Sequence, residues 1–402
     1  MSVRRSVNVS TRGQAPPFFA MEVLKAANVR AATHGDMLSL CLGQPATPAP
    51  RPVREAAARA LSAAEVMGYT DAIGNRDLRE AIAAHYGTTY GVAVDPDEVV
   101  VTTGSSGAFT ALFLAAFDAG DTVLMTRPGY PAYRNTLAAL GCDVVEVDCD
   151  ESTRFQLHVS HLEAFAEENG APAGVIVASP ANPTGSIIPA DELAALARWC
   201  EANGTLLISD EIYHGITYGD RAACAWETSR AAAVVGSFSK YYSMTGWRIG
   251  WALVPEPLAR PVELLLGNLN ICAPAISQVA AVAAFDPASV AELETHVRRY
   301  AANRALVQAR IGELGVQRMA PPDGAFYAYA DISHLTDDSV RWAEDVLAAT
   351  GVAVTPGVDF APPSDLHDRH SDGRRFIRMS LAGATDEFDT AMSRLAEYVH
   401  RA

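Results

Sequence analysis

The segment Ser237-Phe238-Ser239-Lys240-Tyr241-Tyr242-Ser243-Met244-Thr245-Gly246-Trp247-Arg248-Ile249-Gly250 places an amine, several hydroxyls and a guanidinium directly after an apolar run that reads as a buried strand. A lysine condenses with a carbonyl as a Schiff base only when its surroundings lower its pKa, and a nearby cation supplies part of that push. Arg248 presents the planar fork that grips a phosphate, and Ser237 and Ser239 add short hydroxyl donors. Most lysines and arginines are solvated surface charges. Here their neighbours are apolar, aromatic or glycine, so the chain encloses them, and the set suits a phosphorylated aldehyde cofactor.

Around this segment, from residue 98 to 255, short apolar runs alternate with helical stretches, the pattern of an α/β fold whose mainly parallel sheet is covered on both faces. Seven strands are predicted, over 99–103, 122–126, 143–147, 174–178, 205–209, 233–236 and 249–254. Ligands in such sheets sit beyond the carboxyl ends of the strands, where one motif after another falls in this chain. Helices are predicted over 18–33, over 51–62 after a proline-rich entry, and over 289–314. Strand-like runs follow at 325–330, 352–355 and 376–380. A chain of 402 residues exceeds what one core supports, so a large domain over 44–285 and a small domain from 1–43 and 286–402 are expected.

With 31 basic against 47 acidic residues, the net charge of −16 argues against nucleic acid or an anionic membrane as general partner, so an anionic cofactor needs local basic groups. The six cysteines show no C-x-x-C pair and no zinc spacing, and read as reduced, mostly buried thiols, with no metal site. The N-terminus lacks the apolar core of a signal peptide, and no run reaches the ~18 apolar residues of a membrane span, so a soluble, cytoplasmic protein is expected.

Gly104-Ser105-Ser106-Gly107 follows a strand and opens an apolar helical run, so its free N–H groups offer either an anion site, which with Arg248 and Ser237 would complete a phosphate cup, or a simple helix cap. Together these residues resemble the fold-type I pyridoxal-phosphate-dependent aminotransferases of class I/II, the aspartate aminotransferase superfamily. The lysine segment matches S-x-S-K-x-x-x-x-x-G-x-R-x-G at every fixed position, and further motifs follow in family order over nearly the whole chain. The resemblance implies a Schiff base on Lys240 and a phosphate held by Ser105, Ser106, Ser237, Ser239 and Arg248. Ser179-Pro180-Ala181-Asn182-Pro183-Thr184-Gly185 looks like the loop whose asparagine, here Asn182, donates to the cofactor's 3′ oxygen. Asp210-Glu211-Ile212-Tyr213 resembles D-E-x-Y, which gives Asp210 to the pyridine nitrogen and Tyr213 to the same 3′ oxygen, with Glu211 structural. Tyr130 matches the ring that stacks on the cofactor. Tyr69 resembles the tyrosine that reaches the neighbouring subunit's phosphate, which implies a homodimer with composite sites. Arg378 matches the arginine that binds the substrate α-carboxylate, with Arg374 and Arg375 as surface charges, and Gly43 lets backbone approach the substrate. Many relatives carry an acid where Gln44 stands.

The activity so implied is ping-pong transamination between an amino acid and a 2-oxo acid, with Lys240 as general base and acid. The same scaffold hosts β- and γ-eliminating lyases and cyclising synthases of secondary metabolism, which the lysine segment does not separate. A regulator built on the fold needs a fused DNA-binding domain, and about forty residues before Gly43 show no basic helix-turn-helix pattern. Gly104-Ser105-Ser106-Gly107 does not fit the G-x-S-x-G of a serine hydrolase. Some aspartate-specific relatives carry a lysine where Ser106 stands, and Phe18, Phe19, Met21 and Phe326 are candidates for an apolar pocket suited to alanine, branched or aromatic donors.

Overall fold

The computed structural model describes residues 7–63, 66–364, 367 and 372–401, so the first six residues of the expected small domain lie outside it. Seven strands form one sheet: β1 Val99–Thr102, β2 Thr122–Arg127, β3 Asp143–Asp148, β4 Gly174–Ala178, β5 Leu206–Asp210, β6 Ala233–Ser237 and β7 Gly250–Leu253. Their order across the sheet is β1-β7-β6-β5-β4-β2-β3. β7 runs antiparallel to both neighbours and every other pair is parallel.

Alternate residues of one strand enter different cores, as a period of two requires. Val99, Val101, Val175, Val177, Val234 and Leu253 join a cluster on one face, while Val100, Ile176, Val235 and Ala252 join another on the opposite face. Covered on both sides, β1, β6 and β7 bury every residue, whereas edge strand β3 buries none fully. Each strand lies within one residue of its predicted span.

A third cluster unites Leu40 near the start of the chain with residues from Val297 to Ala396. It covers an antiparallel sheet of β8 Tyr327–Asp331, β9 Thr355–Pro356 and β10 Phe376–Ser380, with β10 in the middle. The predicted strand over 352–355 is divided: Val352–Ala353 pairs with Leu38–Ser39, and Thr355–Pro356 turns to pair with β10. One run thus serves two partners. The helix Pro287–Arg310 has 24 residues, about 36 Å at 1.5 Å per residue. Leu293 on it enters the first cluster, and Val297, Tyr300 and Val307 enter the third. It stops four residues before its predicted end, where the chain tightens into the 3-10 turn Ile311–Leu314.

Candidate active site

A cavity of about 330 Å³ opens beyond the carboxyl ends of the large sheet, between it and the β8–β10 sheet. Gly43, Ser105, Ser106, Tyr130, Asn182, Asp210, Tyr213, Ser239, Lys240, Arg248 and Arg378 line it, as does Gln44. Two predicted site residues do not. The Ser237 hydroxyl, at the end of β6, accepts the Ser239 N–H at 3.0 Å behind the cavity wall, and Tyr69 lies outside, 81% exposed.

After β6 the chain loops through Lys240 and returns to β7, pinned by a Thr245 hydroxyl bond to Ser239 O at 2.8 Å. Lys240 Nζ donates to Gly43 O at 2.6 Å and sits 5.6 Å from the centroid of the Tyr213 ring. Burial pushes its pKa down to about 8, the Arg378 guanidinium and then Arg248 push the same way, and Asp210 opposes them. Asp210 ends β5, buried, accepting hydrogen bonds from the Tyr133 hydroxyl and from Ile212 N at 3.1 Å. Burial pushes this carboxyl up to about 6, against the pull of Tyr133, Ile212 N–H and Lys240.

Arg378 stands in the middle of β10, its register partners being Tyr329 on β8 and Thr355 on β9. Its Nη1 donates to Asn182 Oδ1 at 2.9 Å and its Nη2 to Cys41 O at 2.7 Å and Thr355 Oγ1 at 3.2 Å. The guanidinium lies 4.6 Å from the Tyr327 ring centroid and 4.9 Å from that of Phe360. Its buried Nε has no hydrogen-bond partner among the described residues.

At the other end of the cavity, the helix Gly104–Ala116 begins without a side-chain cap, which leaves its first N–H groups free. Gly104 has φ +66, and a Cβ there would lie 2.5 Å from Arg248 Nη2, so only glycine lets the guanidinium rest against this helix start. Arg248 Nη1 is held by Thr245 O at 2.9 Å.

Two site residues lay outside the sequence reading. Tyr133, three residues after Tyr130, grips Asp210, and Tyr327 shares a 2.6 Å hydrogen bond with Tyr213. The apolar expectation is half corrected: Phe18 and Met21 line the cavity with Ala20 and Leu24, but Phe19 does not. Phe326 is wholly buried against Tyr213 and Tyr300, because its neighbour Tyr327 takes the cavity-facing side. Glu211 accepts from Ala225 N at 2.8 Å and Ser209 Oγ at 3.1 Å, as a structural carboxylate does.

Residues 35–395 match the profile of the aminotransferases of class I and II. The chain belongs to this family. It is 50% identical over 393 residues to the valine–pyruvate aminotransferase of Mycobacterium tuberculosis, covering 97% of this chain and 98% of that one. The crystal structure of an aminotransferase from Mycobacterium tuberculosis superposes with a TM-score of 0.94 at 50% identity, covering 99% of this chain and all of that one. The aspartate aminotransferase of Thermus thermophilus with maleate does so at 0.89 and 31% identity, over 98% of this chain and all of that one. The chain is a pyridoxal-phosphate-dependent aminotransferase, and the lyase alternative is not favoured. Its residues fit that cofactor. An uncapped helix start against a guanidinium suits the phosphate, and a lysine with lowered pKa within one cavity with a buried carboxylate suits the ring. Among the described residues no helix is long and apolar enough to cross a membrane, and no cluster of metal-binding side chains occurs.

Proposed function

We propose that this aminotransferase takes its amino group from an aliphatic amino acid such as valine and passes it to a small 2-oxo acid such as pyruvate. The observation that carries the reading is the cavity's charge pattern. Among the described residues of one chain its lining cations are Lys240, Arg248 and Arg378, each with a task below, while Phe18, Ala20, Met21 and Leu24 form an apolar wall. The relative that shares half its residues is named for valine and pyruvate.

Pyridoxal 5′-phosphate supplies an electron sink that acidifies the substrate Cα hydrogen. Arg248, Ser105, Ser106, Ser239 and the N–H groups of the helix Gly104–Ala116 would hold its phosphate, with Ser237 shaping the loop from behind. Asp210, steadied by the Tyr133 hydroxyl, would keep the ring nitrogen protonated. Arg378 occupies Asn182 Oδ1, so the Asn182 amide hydrogens remain to donate, beside Tyr213, to the ring oxygen. Tyr130, which lines the cavity, would pack against the ring. Arg378 grips the substrate carboxylate, with its unpartnered Nε in reserve, and Gly43 keeps that approach open, since a Cβ there would lie 2.6 Å from the Tyr327 hydroxyl. Lys240, with a pKa near 8, takes the proton from Cα and returns it, because both protonation states are accessible near neutral pH.

The reading extends to a homodimer in which Tyr69 serves the neighbouring subunit, to a division into 44–285 and 1–43 with 286–402, and to a cytoplasmic enzyme whose cysteines stay reduced. The donor assignment is tested by mixing the enzyme with valine, alanine, aspartate, glutamate or phenylalanine without any 2-oxo acid and following loss of the cofactor's visible band. Valine and alanine are expected to react fastest; faster conversion of aspartate than of valine sinks the aliphatic reading.

A further inference from the structure

The apolar wall of the cavity belongs to the helix Phe19–His34, and this element is poorly anchored by packing. Ala27 is its one fully buried side chain. A helix start leaves four N–H groups without partners, and Phe18, at the cap position, has no side-chain oxygen to offer them. The partner comes from the far end of the chain. Asp359 Oδ1 accepts the Phe19 N–H and Asp359 Oδ2 accepts the Ala20 N–H, both at 2.9 Å, across 340 and 339 residues of sequence. Asp359 is 2% exposed, and a carboxylate at this pole is also favoured by the helix dipole. At the other end of the helix, Arg30 pairs with Asp36 at 2.8 Å and donates to Ala348 O at 2.6 Å. Polar ties at both ends therefore set where the wall stands.

Asp359 closes the short 3-10 turn Gly357–Asp359, which Phe360 follows at once. The ring of Phe360 backs the Arg378 guanidinium, and Asp359 O accepts a bond from Arg134 Nη2 at 3.3 Å. One turn thus reaches both ends of the substrate: the arginine for its carboxylate and the helix start that faces its side chain.

We infer that Asp359 is a positioning residue for donor selection: by gripping the first turn of the helix Phe19–His34 it fixes Phe18, Met21 and Leu24 at the distance that a branched side chain fills and a methyl does not. The inference rests on the aliphatic-donor reading given above. It separates donors by size, because one or two methyl groups in an apolar pocket are worth on the order of tenfold or more in kcat/KM.

The test uses the cofactor-loaded enzyme and its Asp359→Ala, Asp359→Asn and Phe18→Ala variants. Asp359→Ala is expected to raise KM for valine about tenfold with kcat retained, while KM for alanine moves less than about twofold. Asp359→Asn, which keeps one acceptor oxygen, falls between, and Phe18→Ala reproduces the valine defect without touching the tie. The absorbance of the bound cofactor stays the same in all. Hydrogen exchange at the amides of residues 19–24 is expected to quicken in Asp359→Ala and not in Phe18→Ala. Equal losses for valine and alanine, or amides unchanged by Asp359→Ala, overturn the inference. Donor preference of the wild type is measured first. If it favours aspartate, only the aliphatic reading fails; the variants are then compared on that donor against alanine, and selectivity unaltered by Asp359→Ala overturns the positioning role.

Discussion

Three features act on the Lys240 amine, burial, the Arg378 guanidinium and the Arg248 guanidinium, and all of them disfavour its charged form, as the proposed role of a base requires. The sign is testable. A lysine with its pKa pushed down to about 8 is neutral, and able to attack an aldehyde, above that pH instead of only above its ordinary value. Reconstitution of the cofactor-free enzyme with pyridoxal phosphate should accelerate as pH rises and be half-maximal near pH 8, as followed by growth of visible absorbance. Arg378→Met removes the larger of the two cationic pushes, so its midpoint should move upward; a wild-type midpoint near that of free lysine contradicts the account. Asp210 behaves oppositely. Burial raises its pKa and the Tyr133 hydroxyl lowers it, so Tyr133→Phe should raise it further. Activity that needs the ionised carboxylate is lost as pH falls, and in Tyr133→Phe that acid limb of the kcat profile should appear at higher pH. An acid limb that stays in place removes Tyr133 from this role.

Among the elements, the start of the helix Gly104–Ala116 shows how backbone conformation and site chemistry constrain each other. Gly104 has φ +66 and gives its missing side chain's space to Arg248. Alanine there costs roughly 1–2 kcal/mol for a left-handed backbone alone, and its methyl displaces the guanidinium as well. Gly104→Ala should weaken cofactor affinity by about tenfold, the equivalent of ~1.4 kcal/mol, in an absorbance titration; an unchanged Kd would mean that Arg248 has another resting place. The strands were legible in the sequence because a doubly covered sheet writes itself as short apolar runs bounded by turns, and most site residues were legible because they follow those runs directly. The phase of the remaining residues was not. Phe326 and Tyr327 are adjacent aromatics at the start of β8, and only the pairing of β8 with β10 decides which one faces the cavity. Tyr133 sits beside Tyr130 in a run with no periodicity to rank them. Asp359 reads as an ordinary turn acid, since the helix it caps begins 340 residues earlier.

At the scale of the whole molecule, half of the large exposed apolar residues among those described fall on two stretches. Leu61, Val66, Met67 and Tyr69 lie on one stretch, and Leu264, Leu269 and Ile271 on another; Val66 is 94% and Ile271 47% exposed. The two stretches touch, since Thr70 N donates to Cys272 Sγ at 3.5 Å and a Cβ on Gly267 would lie 3.7 Å from Ala72 Cβ. A patch of this kind costs solubility unless it is covered, and the proposed second copy would cover it and put Tyr69 to use. Sedimentation equilibrium should therefore give twice the 42.7 kDa chain mass. Ile271→Asp, which buries a charge in that interface, should shift the protein toward monomers and loosen its cofactor. Tyr69→Phe should keep the dimer and weaken the cofactor by about tenfold, the size of a lost hydrogen bond to a charged group. Mixing separates action within a subunit from action between subunits. A Lys240→Ala chain has a dead site but an intact Tyr69, whereas a Tyr69→Phe chain has an intact lysine. In a hybrid dimer the living lysine receives the intact tyrosine from its neighbour, so mixed and re-annealed subunits should bind cofactor at that site with wild-type affinity. If the hybrids keep the weak affinity of the Tyr69→Phe parent, Tyr69 does not act across the interface and the composite site is excluded.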